Sequence, residues 1–180
     1  MGSNPTPSAM VPSGAFPPDA LPSGLNVSEA MGLALDEAVL ALVHDDVPVG
    51  AIVVHGGTVI ASRHNERELH ADPVAHAEIL ALRDAAARLG TWRLHECAMY
   101  VTLEPCPMCA GALVNARLGH LVYGAHDPKA GAVISQYDML TGERLNHRVE
   151  VTSGVRSTES AELLRTFFRR RRASTTEEPA

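Results

Sequence analysis

The sequence predicts an α/β protein, a three-layer α/β/α sandwich around a central mixed five-stranded sheet. Three observations carry this. Runs rich in Val, Ile, Leu and Tyr alternate with helical apolar patterns, the arrangement that puts helices on both faces of a sheet. A Gly-Gly pair between two of the runs is a strong hairpin signal. The 180 residues contain no internal repeat, so they suit one domain with a single core large enough to need no disulfide.

Each element has its own signal. Asn26 is a good N-cap with Glu29 three residues on, and Val27, Met31, Ala34, Leu35, Ala38 and Leu42 make the inward stripe of a helix reaching about His44. Residues 50–54 and 58–62 form two strands joined at His55, Gly56 and Gly57. Asp72 and Pro73 read as the N-cap and first-turn pair of a second helix ending near Gly90, which sets His76 in its opening turns. "CAMYVTL" at 97–103 is a buried strand, Pro107 opens a third helix to about Ala116, and "HLVYGA" at 120–125 is another strand. A short element at 137–140, a strand at 149–152 and a helix from about Thr158 to Arg172 complete the unit.

The flanks differ in composition. Residues 1–26 hold six prolines and no apolar periodicity, so they predict a flexible leader to a folded domain over 27–172. The tail, residues 173–180, is expected to be flexible as well. No apolar run is long enough to span a bilayer and no signal-peptide pattern opens the chain, so a soluble protein is expected. Three clustered cysteines, at 97, 106 and 109, are too few for a disulfide framework and suit a reducing, cytoplasmic setting.

A formal net charge of −6 argues against a generally basic nucleic-acid binder. Residues 143–172 are the exception, with eight arginines against four glutamates, a local balance of +4. Such a run either solvates a helix end or meets phosphates.

The chemistry concentrates in two segments. In "LEPCPMCAGAL", Cys106 and Cys109 are three apart at a helix start, where their sulfurs point the same way and the helix N-terminus favours thiolates. One CxxC is half a metal site, since redox thiols and structural zinc knuckles share the spacing. "VAHAEILALRDAAARL" adds His76 and Glu78 to an otherwise apolar, alanine-rich helix. A carboxylate there is costly unless paired or functional, and proton transfer beside a metal is a function that would keep it. On a regular helix His76 and Glu78 would lie about 200° apart, so they can converge only on a point off the helix end. One nitrogen and two thiolates leave a tetrahedral zinc one position short, the mark of a catalytic site, where water is acidified to a pKa of about 7.

"HAE", with Pro105 of "PCPMC" lying 27 positions beyond Glu78, resembles the zinc-dependent nucleoside and nucleobase deaminases. The likeness extends over roughly residues 27–172, through "VPVGAIVV", "HNERE", "DPVAHAEILALR", "MYVTLEPCPMCAGA", "YGAHDPKAGA", "NHRVEV" and "FFRRRR". Taken together these segments are similar to the tRNA-editing branch, which converts the wobble adenosine (position 34) of an arginine tRNA to inosine. The resemblance implies a cytidine-deaminase-like fold with one Zn2+ per subunit on His76, Cys106 and Cys109, and Glu78 as the catalytic proton carrier. It further implies that Asn65 and the Ala77 backbone contact the flipped nucleoside, and that Asp127 and Lys129 sit on an anticodon-contacting loop. "FFRRRR" would meet tRNA phosphates, and the partners would be the tRNA(Arg) anticodon stem-loop and a second copy of the chain. The proline-rich leader departs from the family pattern.

Three other readings share parts of these residues. Guanine deaminases also carry HAE and PCPMC, and differ outside the zinc site. A structural zinc module would use Cys97 as fourth ligand. A thiol redox protein would use "CPMC" and leave His76 and Glu78 without a task.

Overall fold

The computed structural model describes residues 25–142 and 145–176. Most of the expected leader (1–24), Glu143 and Arg144 of the basic segment, and residues 177–180 of the expected tail lie outside the described residues.

Helix α1 (Val27–Leu40) begins as its sequence dictates. Asn26 Oδ1 accepts the Glu29 N–H at 2.9 Å, and Glu29 Oε2 accepts the Asn26 N–H at 2.9 Å. The chain tightens into a 3₁₀ turn over Ala41–His44 and stops at Asp45, which is left-handed (φ 57°). Strands β1 (Gly50–His55) and β2 (Thr58–His64) then pair antiparallel. Their two-residue turn puts Gly56 at φ 54° and Gly57 at φ 76°, the pair of positive angles a tight hairpin needs. Val53 pairs with Ala61 but Val54 with Val59, leaving Ile60 as an extra residue. This bulge lets the consecutive Ile60 and Ala61 enter the same core.

The next stretch departs from expectation. A single helical turn, α2 (Arg67–His70), precedes Asp72, and Asp72 and Pro73 do not open a helix. Asp72 Oδ1 instead accepts the Val74 N–H at 2.9 Å, closing a side-chain turn. Helix α3 (Ala77–Leu89) starts four residues later with His76 as its N-cap, so His76 is not in the opening turns. Gly90 ends it at φ 65°. Strand β3 (Cys97–Leu103), helix α4 (Pro107–Asn115) and strand β4 (His120–Ala125) fall where the sequence places them.

Residues 137–140 form neither helix nor strand. Asp138 Oδ1 takes the Thr141 N–H and hydroxyl, which bends the segment, while the Leu140 carbonyl accepts from Val149 and its side chain stays buried. Strand β5 (Glu150–Ser153) follows, and helix α5 (Ser157–Thr176) continues past Arg172, so residues 173–176 of the expected tail are helical. No glycine or proline interrupts the sequence before Pro179, and Ala173 is a strong helix former.

The sheet order is β2-β1-β3-β4-β5, antiparallel on β1 and parallel from β3 through β5, hence mixed and five-stranded. Alternation sorts its side chains. Ala51, Val53, Met99, Val101, Leu121 and Tyr123 pack with Ala81, Leu82, Ala110 and Leu113 of α3 and α4. Ile52, Val54, Ala98, Tyr100 and Val122 pack with Met31 and Leu35 of α1, and α5 lies on that face against Gly124 through Ser160. Among the described residues, no helix is long and apolar enough to cross a membrane.

Candidate metal centre

Helices α3 and α4 present their N-termini to one point. His76 caps α3 with extended backbone (φ −78°, ψ 148°) and makes no side-chain bond to its own helix. Cys106 caps α4 in the same way (φ −72°, ψ 172°), with Pro107 in the first turn. Both side chains, spared from capping, turn toward each other. His76 Nδ1 lies 3.8 Å from Cys106 Sγ and 3.6 Å from Cys109 Sγ, and the three ligand atoms are all within 4.8 Å of one another. A tetrahedral zinc with bonds of about 2.3 Å to sulfur and 2.0 Å to nitrogen needs N···S separations of about 3.5 Å, so the donors fit that ion.

The expected convergence off the helix end is present, but its geometry differs from the one anticipated. His76 is outside the helix, so the 200° helical offset from Glu78 does not apply. Cys97 lies at the far end of β3, which at about 3.3 Å per residue is roughly 20 Å away. It is fully buried in the core, and burial pushes its thiol up to about 11. Among the described residues the cluster therefore has three members, which leaves the closed four-ligand module without its fourth ligand.

The sulfurs differ in charge. A hydrogen bond from the Cys109 thiol, with help from His76, brings Cys106 down to about 4. The same bond, followed by burial, pushes Cys109 up, and the Cys106 contact raises His76. Positive helix ends on both sides favour this concentration of negative charge. Glu78, in the first turn of α3, is only 4% exposed, and burial raises its carboxyl above the ordinary carboxylate range. The charges of His76 and Cys106 and a hydrogen bond with Cys109 also act on it. A carboxyl that releases its proton reluctantly beside three metal donors can hold and pass a proton.

Asn65 stands next to this centre. Its Oδ1 accepts the Ala77 N–H at 3.0 Å and its Nδ2 donates to the Val47 carbonyl at 3.0 Å, so one amide ties the start of α3 to the segment before β1. The Ala77 N–H is thus engaged by Asn65 in this structure. His44 Nε2 donates to the Asn65 carbonyl at 3.1 Å and stacks on His64, a support with no periodic signal in the sequence.

Asp127 and Lys129 lie on the loop after β4. Asp127 Oδ1 accepts the N–H groups of Lys129 and Ala130 at 2.9 and 3.2 Å, while the Lys129 side chain is exposed. The loop forms one wall of a groove of about 870 Å³, with Val47 and Leu103 also lining it and α5 opposite, through Leu164, Arg165, Phe168, Arg169 and Arg172. Arg165 and Arg169 share Glu162, at 2.9 and 3.1 Å. Phe168 is 44% exposed, whereas Phe167 is buried. In "NHRVEV", Asn146 accepts from Arg117 at 2.6 Å and His147 Nε2 donates to the Leu118 carbonyl at 2.7 Å.

One further residue was passed over in the sequence. Glu104, between β3 and Cys106, is buried and accepts from Val133, Ile134, Ser135 and Asp127. Burial opposes its charge, but the Ser135 hydroxyl and these N–H groups outweigh it and hold the carboxyl at about 2. The available signal was a carboxylate directly after a seven-residue apolar strand, a place where charge is costly without several donors.

A family model described as MafB19-like deaminase matches residues 25–172. The tRNA-specific adenosine deaminase of Bacillus subtilis (strain 168) is 48% identical over 136 residues, which are 76% of this chain and 84% of that protein. A solved structure from work on A-to-I editing by tRNA:A34 deaminases at the wobble position has a TM-score of 0.73 and 46% identity, covering 76% of this chain and 99% of its own. A guanine deaminase from Nitrosomonas europaea has a TM-score of 0.65 at 27% identity, over 78% of this chain and 84% of its own.

Proposed function

The chain belongs to the bacterial tRNA-specific adenosine deaminases of the cytidine-deaminase superfamily, and from that premise we propose how its residues divide the work. The protein is a zinc-dependent hydrolase that deaminates adenosine at tRNA wobble position 34 to inosine. The observation that carries the chemistry is the triangle of His76 Nδ1 and the Cys106 and Cys109 sulfurs beside a buried Glu78.

His76, Cys106 and Cys109 would hold the zinc ion, which when bound would supply a water acidified to a pKa of about 7. Glu78 accepts a proton from the attacking water and passes it to the purine ring nitrogen as the amino-bearing carbon becomes tetrahedral, then takes the proton of the new hydroxyl and gives it to the departing amine as the C–N bond breaks. Water is consumed, ammonia leaves and inosine remains. Burial raises the Glu78 carboxyl above the ordinary carboxylate range, which favours its taking up a proton in this cycle.

Asn65 and the Ala77 backbone orient the flipped nucleoside, and beyond its bonds to Ala77 and Val47 the Asn65 amide has a second N–H and a second oxygen lone pair for that purpose. Asp127 and Lys129 contact the anticodon loop, and the arginine face of α5 meets its phosphates across the shared groove. We assign residues 27–172 as the catalytic unit, tRNA(Arg) as the substrate, a homodimer as the working form and the cytoplasm as its location. Identity of 48% to a tRNA enzyme, against 27% to a guanine deaminase, supports tRNA over free guanine.

The test is incubation with an arginine anticodon stem-loop carrying adenosine at the wobble position, read as inosine. The wild type should convert it. Glu78→Ala should keep one zinc per subunit and stem-loop binding while losing on the order of 10²–10⁴ in rate. Turnover of guanine with none of the stem-loop would overturn the substrate, and substantial turnover by Glu78→Ala would overturn its role.

A further inference from the structure

Among the described residues, Glu104 is a buried carboxylate to which neither the metal site nor the proton pathway assigns a task. We propose that Glu104 is a positioning residue that clamps residues 126–135 into the shape that reads RNA and fastens that loop to the Cys106 turn. The inference rests on the tRNA reading above, because it takes the loop of Asp127 and Lys129 as an RNA contact.

The geometry is that of a socket built around one anion. Oε1 accepts the N–H groups of Val133, Ile134 and Ser135 at 3.1, 2.8 and 2.9 Å. Oε2 accepts the Asp127 N–H at 3.0 Å and the Ser135 hydroxyl. Donors from both ends of the loop therefore close on the two oxygens of one side chain. A carboxylate has no proton of its own, so both its oxygens can face these five donors, whereas an amide would turn an NH2 toward donors on one side.

The backbone around Glu104 is fitted to it. A Cβ at Gly131 would lie 2.4 Å from Glu104 Cδ and 2.7 Å from the Asp127 carbonyl, so no side chain can stand there while the clamp is closed. The Ala132 N–H donates to the Pro105 carbonyl at 2.8 Å, bonding the loop to the residue beside the ligand Cys106. Asp127, fixed through its N–H, then uses Oδ1 to hold the N–H groups of Lys129 and Ala130, which presents the exposed lysine to the groove. The loop's form thus depends on a charge anchored between β3 and the metal ligands. Glu104 acts through this loop and touches no reacting atom.

This assigns Glu104 an effect on substrate capture. Glu104→Gln keeps size and removes charge, and Ser135→Ala removes one donor while leaving the carboxylate in place. On zinc-loaded full-length protein, three readouts are compared: zinc per subunit, KM and kcat for the arginine anticodon stem-loop, and amide hydrogen exchange. Glu104→Gln should raise KM by tenfold or more with kcat changed less than threefold, speed exchange at 127 and 133–135 but not in α3, and retain zinc. Ser135→Ala should raise KM about threefold. Unchanged KM and unchanged exchange in both variants overturn the clamp, as does a loss confined to kcat or matched by loss of zinc. A wild type that deaminates no stem-loop rejects the tRNA reading instead, and the exchange measurement still decides whether Glu104 holds the loop.

Discussion

At the residue scale, polar side chains in this centre each take more than one partner. Asn65 joins the half-buried Val47 carbonyl to the buried first N–H of α3, while His44 holds its carbonyl from behind. Asn65→Ala would strand a donor and an acceptor together, and one unsatisfied buried group costs about 1–3 kcal/mol. The zinc-loaded variant should therefore lose at least about 1 kcal/mol in urea unfolding. A loss below about 0.5 kcal/mol would mean that the bridge is dispensable. His76, Glu78, Cys106 and Cys109 were readable in the sequence because each is chemically out of keeping with its neighbours. Glu104 shows only its charge after an apolar strand, because what gives it a task is a set of backbone donors contributed 23 to 31 positions away. His44 is similar, being one of nine histidines and distinguished only by what the hairpin brings to it.

At the scale of elements, the segments read well were those with strong local punctuation. Pro107 opens α4, Gly90 closes α3, and β3 and β4 occupy the stretches expected of them. The start of α3 was misplaced because Asp72-Pro73 satisfies the rules for a helix N-terminus and for a turn alike. The neighbouring α2 and its Glu66 packing select the turn, as the Glu66 N–H donates to the Ala75 carbonyl at 3.0 Å. The bulge at Ile60 was invisible because alternation alone cannot show an extra residue. Helices α3 and α4 also leave an apolar furrow between them, lined by Ile79, Leu82, Trp92, Leu94, Ala112 and Ala116, with Trp92 51% exposed. The proposed second copy should cover this face. Trp92→Glu should convert a dimer to a monomer in light scattering at micromolar concentration without loss of zinc, and a variant that remains dimeric would place the interface elsewhere.

For the whole molecule, the sheet was legible as five strands with helices on both faces, but its order was not. Beyond the Gly56-Gly57 hairpin that joins β1 to β2, local sequence carries no record of which strands become neighbours, and here β3 is flanked by one antiparallel and one parallel partner. That central strand leads directly into Glu104, Cys106 and α4, so core and chemistry are continuous. Removing zinc should then do more than abolish turnover. Excess chelator should lower the unfolding temperature by several degrees, since an ion that binds only the folded state stabilises it by linkage. An unchanged melting temperature after complete metal removal would show that the site stands without it.

The use of His76 and Cys106 as helix caps has a consequence for how the chain assembles. These two starts have no side-chain cap of their own, and His76 and Cys109 are 33 positions apart with β3 between them. An ion joining them closes that span as a covalent staple would, a contraction whose entropic cost grows only slowly with length. Metal capture would therefore fasten the central strand between two helices, making zinc supply a determinant of how much chain matures as well as of how fast the mature form works.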